Sequence, residues 1–281
     1  MTYVQIVTDS SCDLPQEIVD EHGIVVVPLS IRFGEEEFVD RVELSTDEFW
    51  AKCAASESLP ETAAPSPGAF EHAYRAAAER GAPGVVSIIL SGDLSATIEA
   101  ARAGARAVAD LIPVEVIDSR TVTLGLGSLV LLAAERAREG ADLATIAALI
   151  SETAPRTRVH GALDTLENLK KGGRIGAAQS LLGSLLSIKP LIEVRDGVVQ
   201  PAGKQRTRSK ALNHLVEQVA ADAAHIDRLA VLHAACPDVD ELVGRLRPLV
   251  NGEILVGQVG PVVGAHAGLG TIGVVYQVSA S

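Results

Sequence analysis

The chain has 281 residues, enough for one large or two modest cores; 47% are hydrophobic but only 3% aromatic, so Ala, Val, Leu and Ile must build the interior. A formal charge of −12 at pH 7 argues against broad attraction to nucleic acid or to an anionic membrane surface, which leaves soluble partners and small ligands.

The N-terminus opens as a strand at Val4, Ile6 and Val7, with no basic start or apolar leader before it. A helix is predicted over 15–22, a second apolar run over 24–29, then Ile31 and Phe33 before an acidic turn. Helices follow over 46–56, with Asp47 and Glu48 in the first turn, and over 68–81. The β-branched run from Val85 to Leu90 reads as a buried strand, and 98–110 as a helix built on alanine. A strand over 114–118 and a long Ala/Leu helix over 125–140 complete this half. Strands alternating with helices predict a mostly parallel sheet with helices on both faces, whose ligands lie outside the carboxyl ends of the strands.

Near Pro155 the pattern changes, and two α/β domains are expected, 1–155 and 156–281, with a ligand between them. Strands over 158–163 and 191–199, the latter a hairpin turning at Asp196 and Gly197, begin a mixed sheet. Helices over 208–221 and 238–246 and strands over 229–232, 254–258 and 274–278 complete it. The longest apolar stretch, 124–134, is too short to span a bilayer. Cys12, Cys53 and Cys236 are odd in number and widely spaced, which fits a reducing compartment, and Cys12 reads as a small buried residue. A cytoplasmic protein without stable membrane insertion is the expectation.

Four hydroxyl-bearing segments close apolar runs: Asp9, Ser10 and Ser11; the stretch from Thr62 to Ser66; the stretch from Ser91 to Thr97; and Asp118 with Ser119. Singly, each reads as a helix cap. In a parallel sheet all four would fall on one edge, where backbone N–H groups and hydroxyls favour an anion. Gly268 to Gly273 fits GxGxxG, but a strand follows where a dinucleotide site needs a helix, so the nucleotide reading is rejected. The same glycine-rich loop makes His266 a pocket candidate. Positive charge gathers at Lys170, Lys171 and Arg174 and again from Lys204 to Lys210, which reads either as solvated loops or as a docking surface. Between them Gly176 and Gly183 would leave room beside leucines at helical spacing for a narrow chain. Metal-ligand spacings, a phosphate-binding loop and a GxSxG elbow are all missing from the sequence, so binding is preferred over catalysis.

Taken in order, Thr8 to Ser11 with Asp13, Leu14 and Pro15, then 62–66, 90–97, 118–119, 166–175, 188–190, 204–208 and 266–270 resemble the DegV family, fatty-acid-binding carrier subunits of bacterial fatty acid kinase. The resemblance implies a long-chain fatty acid such as palmitate held between two α/β domains, no cofactor, and an ATP-dependent fatty acid kinase as partner. It implies that Thr62, Ser95, Ala96 and His266 receive the carboxylate, supported by Asp9, Ser10, Ser11, Thr97 and Ser119. Arg174 and Arg206 match the family's kinase-docking arginines. The chain departs from the family pattern at Ala63, Ala64, Ala96 and Leu269. A lipid store or sensor without a kinase, and a hydrolase using Ser95 with His266, are the competing readings.

Overall fold

The computed structural model describes residues 3–56, 58–182 and 188–279. In the N-terminal part, β1 (Gln5–Asp9) lies between β2 (Val25–Val27) and β6 (Val85–Ile89), and β7 (Val114–Asp118) adds outside β6, all parallel. Helix α1 (Gln16–His22) makes the crossover from β1 to β2. Both β1 and β6 are buried at every residue, as strands covered on two faces must be. Helices α3 (Pro67–Glu79) and α4 (Thr97–Ala107) pack on each other and on this sheet, as do α5 (Leu124–Arg138) and α6 (Leu143–Thr153). Close approach of α3 and α4 depends on a missing side chain, since a Cβ at Gly104 would stand 2.8 Å from Phe70 Cβ.

A small antiparallel sheet of β3 (Ser30–Phe33), β4 (Glu36–Val39) and β5 (Glu61–Ala63), with β3 central, stands beside the parallel one. This corrects the expectation that all four hydroxyl segments lie on one sheet edge. Those containing Asp9, Ser91 and Ser119 do follow β1, β6 and β7, whereas Thr62 sits on β5 opposite Ile31. Next to this sheet lies α2 (Thr46–Ala55), started by a reciprocal capping box between Ser45 and Glu48.

The C-terminal part is a mixed sheet ordered β10 (Val198–Gln205), β9 (Lys189–Arg195), β8 (Thr157–Ala162), β13 (Ile272–Val278), β11 (Ile226–His233) and β12 (Ile254–Gln258). Only β11 and β12 run parallel among the described strands of this sheet. The β9–β10 hairpin turns at Asp196 (φ 54°) and Gly197 (φ 84°), the two left-handed positions of a tight hairpin turn. Helices α8 (Arg208–Asp222) and α9 (Val239–Leu246) cover one apolar cluster with Leu212, Leu215 and Val274 in it. This is the two-part α/β class anticipated from the sequence. No helix among the described residues is long and apolar enough to cross a membrane. Of the two glycines expected to make room for a chain, Gly183 lies outside the described residues.

Two shorter helices, α7 (Glu167–Lys171) and α10 (Pro261–Ala267), pack against each other. The second replaces an expected loop. Pro261 occupies its first turn and Gly268, at φ 82°, ends it, so His266 is held in a last helical turn rather than on flexible chain.

Candidate ligand-binding site

One cavity contains about 890 Å³ of space free of protein atoms, open solvent at its mouth included. Its walls come from both parts of the chain. Leu29, Leu90 and Leu94 face Val159, Leu163 and Ile192, and α10 contributes Val262, Val263 and Ala267. Thr62, Ser95, His266 and Arg174 also line it. The structure thus brings together three of the four expected carboxylate residues, with Arg174 beside them.

Each is placed by a specific local device. Pairing of β5 with β3 fixes Thr62, whose Oγ1 lies 3.0 Å from Nε2 of His266. Ser95 Oγ lies 2.8 Å from Thr97 Oγ1 and accepts from the Thr97 N–H at 3.3 Å, and so takes the capping role at the start of α4 that Ala96 has no side chain to fill. Arg174 donates from Nε to the Leu94 carbonyl at 3.0 Å and from Nη1 to the Gly172 carbonyl at 2.7 Å, which anchors an exposed guanidinium at the mouth. Above the imidazole, a Cβ on Gly172 would stand 2.2 Å from His266 Nδ1. That position is therefore restricted to glycine while the ring stays where it is.

Electrostatically this end is prepared for an anion. Burial, reinforced by positive Arg174, pushes His266 down to about 4, so its imidazole is neutral at pH 7. Its Nδ1 is buried and has no partner among the described residues. A neutral imidazole, two hydroxyls and a guanidinium can all donate to a carboxylate, which would otherwise resist entering an apolar cavity. No group of His, Cys, Asp or Glu among the described residues could hold a metal ion.

The remaining sequence candidates lie elsewhere. Asp9 is fully buried, accepting from Ser11 Oγ at 2.5 Å and from the Leu90 N–H at 2.9 Å. Ser10 Oγ accepts from the Leu29 N–H at 3.1 Å, and Ser119 Oγ donates to the Thr121 carbonyl at 3.3 Å. Thr97 stands behind Ser95, and Ala96 is exposed. None of these lines the cavity, and neither does the exposed Arg206. Cys12 is buried with its thiol pushed up to about 11, the environment of an inert thiol. Sequence reasoning passed over Val159 and Gly161, two apart along β8 and so on one sheet face, and Leu163 just past its end, all of which line the cavity.

A model of the DegV family, described as "uncharacterised protein, DegV family", matches residues 3–279. The chain belongs to the DegV family. A DegV domain-containing protein of Streptomyces coelicolor is 40% identical over 254 residues, covering 89% of each chain. Protein DegV of Bacillus subtilis is 33% identical over 234 residues, 82% of this chain and 83% of the relative. Among solved structures, a DegV family protein from Thermus thermophilus, described by its fatty acid binding, is 33% identical with a TM-score of 0.89, covering 99% of this chain and all of that one. The structure of DegV from Bacillus subtilis, described as a fatty acid binding protein, is 31% identical with a TM-score of 0.89 over 99% of this chain and all of its own.

Proposed function

We propose that this DegV-family protein binds a long-chain fatty acid in the cavity, carboxylate toward Thr62, Ser95, His266 and Arg174, tail among the aliphatic walls. The observation that carries it is a single cavity that is aliphatic along its walls and bears the Thr62–His266 pair, Ser95 and Arg174 together. Its relatives of known structure described as fatty acid binding support the same ligand class. Burying about fourteen methylenes at ~0.8 kcal/mol each contributes on the order of 11 kcal/mol before the cost of ordering the chain. The tail then supplies most of the affinity, while the head-group donors offset the cost of burying the carboxylate and fix its orientation.

The protein acts as a cytoplasmic, non-catalytic carrier that needs no cofactor and presents the carboxylate to an ATP-dependent fatty acid kinase, in lipid transport toward phospholipid synthesis. Ser95 Oγ is engaged with Thr97, and His266 Nε2 faces Thr62 instead, which supports carriage over serine hydrolysis. Arg174 at the mouth and exposed Arg206 are the docking residues of this reading. We place the domain boundary near residue 155, where the chain leaves α6 and enters β8.

Organic extraction of the purified protein followed by mass spectrometry tests the ligand class. Recovery of a C14–C20 fatty acid is expected, and a Thr62→Ala/Ser95→Ala variant that still folds should come out largely stripped of it. Equal recovery from both proteins would remove the assigned site. Charge reversal at Arg206, which is exposed and outside the cavity, should impair acyl-phosphate formation with the kinase while leaving the bound lipid in place; unaltered transfer would leave a store or sensor.

A further inference from the structure

The carboxylate of Asp13 joins two walls of the cavity without touching the cavity itself. Asp13 is 3% exposed and sits after β1 in a left-handed conformation, φ 52°. Its Oδ2 accepts from Thr123 Oγ1 at 2.6 Å and its Oδ1 from the Gly260 N–H at 3.0 Å. Thr123 lines the cavity and opens α5; Gly260 opens α10, the helix that carries Val262, Val263, Ala267 and His266 into the site. The link spans 247 residues of sequence.

The surroundings fit a joint held under constraint. Thr123 is a β-branched residue at φ 54°, a conformation that persists only where neighbours enforce it. Room at the joint is short on the other side as well, because a Cβ on Gly260 would lie 2.8 Å from Asp13 Oδ1. A buried carboxylate is retained only when its lone pairs are occupied, and both oxygens here are. Burial raises its pKa to about 7, against the lowering pull of Thr123, Arg41 and Gly260.

We propose that Asp13 is a positioning residue for the head-group site: by tethering the start of α10 to Thr123 it sets where His266 stands relative to Thr62. The inference rests on the fatty acid reading, since it concerns recognition of the carboxylate. Its prediction is selective. Disturbing the tether should weaken binding of a carboxylate head and spare the tail, whose contacts are spread over both halves of the chain.

The test measures hexadecanoic acid and hexadecan-1-ol by competition against a fluorescent fatty acid on the delipidated protein and its variants. Asp13→Ala removes both acceptors. Gly260→Ala leaves Asp13 intact and pushes α10 from the opposite side, so it decides the matter if the first variant fails to fold. Each should lose about tenfold in affinity for the acid, the scale of one hydrogen bond to a charged group, with alcohol affinity held within about twofold. Asp13→Asn should restore the wild-type value, because its amide oxygen can still accept from Gly260 and its N–H can reach Thr123 Oγ1. Unchanged acid binding in a folded Gly260→Ala protein, equal weakening of acid and alcohol, or no rescue by Asn overturns the proposal. A wild-type protein that does not prefer acid over alcohol would instead remove the head-group site, a result separable from any variant.

Discussion

The Thr62 hydroxyl and the His266 imidazole meet at 3.0 Å across 204 positions of sequence, one from the small antiparallel sheet and one from the last turn of α10. Neither group is charged at neutral pH, and burial with Arg174 nearby holds the imidazole down to about 4. An arriving carboxylate reverses the local balance, because an opposite charge favours imidazolium. Ligand should therefore raise the His266 pKa from about 4 toward its ordinary value, and fatty acid binding should take up protons between those two values, most strongly midway. Two-dimensional NMR of the imidazole nitrogens, with and without fatty acid, measures both values. An unmoved His266 would place the carboxylate elsewhere.

Thr62→Val keeps the β-branched shape on β5 and deletes only the hydroxyl. Acid affinity should fall about tenfold while the corresponding alcohol loses less, since a hydrogen bond to a charged acceptor is the stronger one. Isothermal titration with the two ligands of equal chain length gives the difference directly.

Much of this architecture is legible in the chain, and the exceptions have identifiable causes. The apolar runs of β1 and β6 and the Asp196–Gly197 turn announce themselves because burial on two faces and left-handed dihedrals each demand few residue types. Thr62 lies in a strand of three residues, too short to show alternation, so its sheet is invisible in the sequence. Helix α10 is hidden by Gly264 within it and the glycines on either side, although Pro261 at its start and Gly268 past its end are the proper signals. Helix α6 escapes the sequence reading too, despite Asp142 accepting from the Thr145 N–H at 2.8 Å as its cap. Asp9, Ser10 and Ser119 look like ligand groups because backbone satisfaction and anion binding require the same side chains.

Gly161 offers control of ligand length. It lines the cavity from near the C-terminal end of β8, and a Cβ there would meet Ile192 and Leu163 at 3.5 Å, ordinary contact rather than a clash. A larger residue there would take up space in the cavity that this position lines. Gly161→Ile should leave the fold intact, shift the extracted lipids toward shorter chains and weaken hexadecanoic acid by tenfold or more, at ~0.8 kcal/mol for each methylene displaced. Mass spectrometry of co-purified lipid reads the shift, and an unchanged profile would show that the tail runs elsewhere.

The tip of the β9–β10 hairpin clasps the N-terminal part. Ser91 Oγ donates to the Gly197 carbonyl at 2.6 Å, and Arg120 donates to the carbonyl of Asp196. At φ 84° an alanine at 197 is strained, and its Cβ would stand 2.7 Å from Ser91 Oγ. Gly140, at φ 91° with open space around it, carries the conformational penalty alone. Gly197→Ala should thus destabilise by about 1–3 kcal/mol more than Gly140→Ala, the excess reporting the clasp. Urea unfolding of both variants measures it, and equal losses would mean that the clasp contributes nothing.

His160 gives a prediction about acid sensitivity, measured on the delipidated protein because this residue also lines the cavity. It is 6% exposed, stacks on Tyr276 with ring centroids 5.8 Å apart, and is pushed down to about 4 by burial first, then by His214 and Arg158. In the unfolded chain it returns to 6.5, so between those values the unfolded state binds the extra proton. Stability is therefore present above pH 6.5 and is lost as pH falls toward 4, by about 2–3 kcal/mol at pH 4.5. His266 acts in the same direction, while buried Asp13 and Asp40, raised to about 7 and about 6, act in the opposite one. Those contributions are shared by wild type and a His160→Gln variant, so they cancel in the comparison. The variant should start less stable at pH 7.5 and lose about 2 kcal/mol less than wild type on going to pH 4.5, measured by urea unfolding at both. Parallel losses in the two proteins would mean that His160 accepts a proton in the folded state as readily as it does in water.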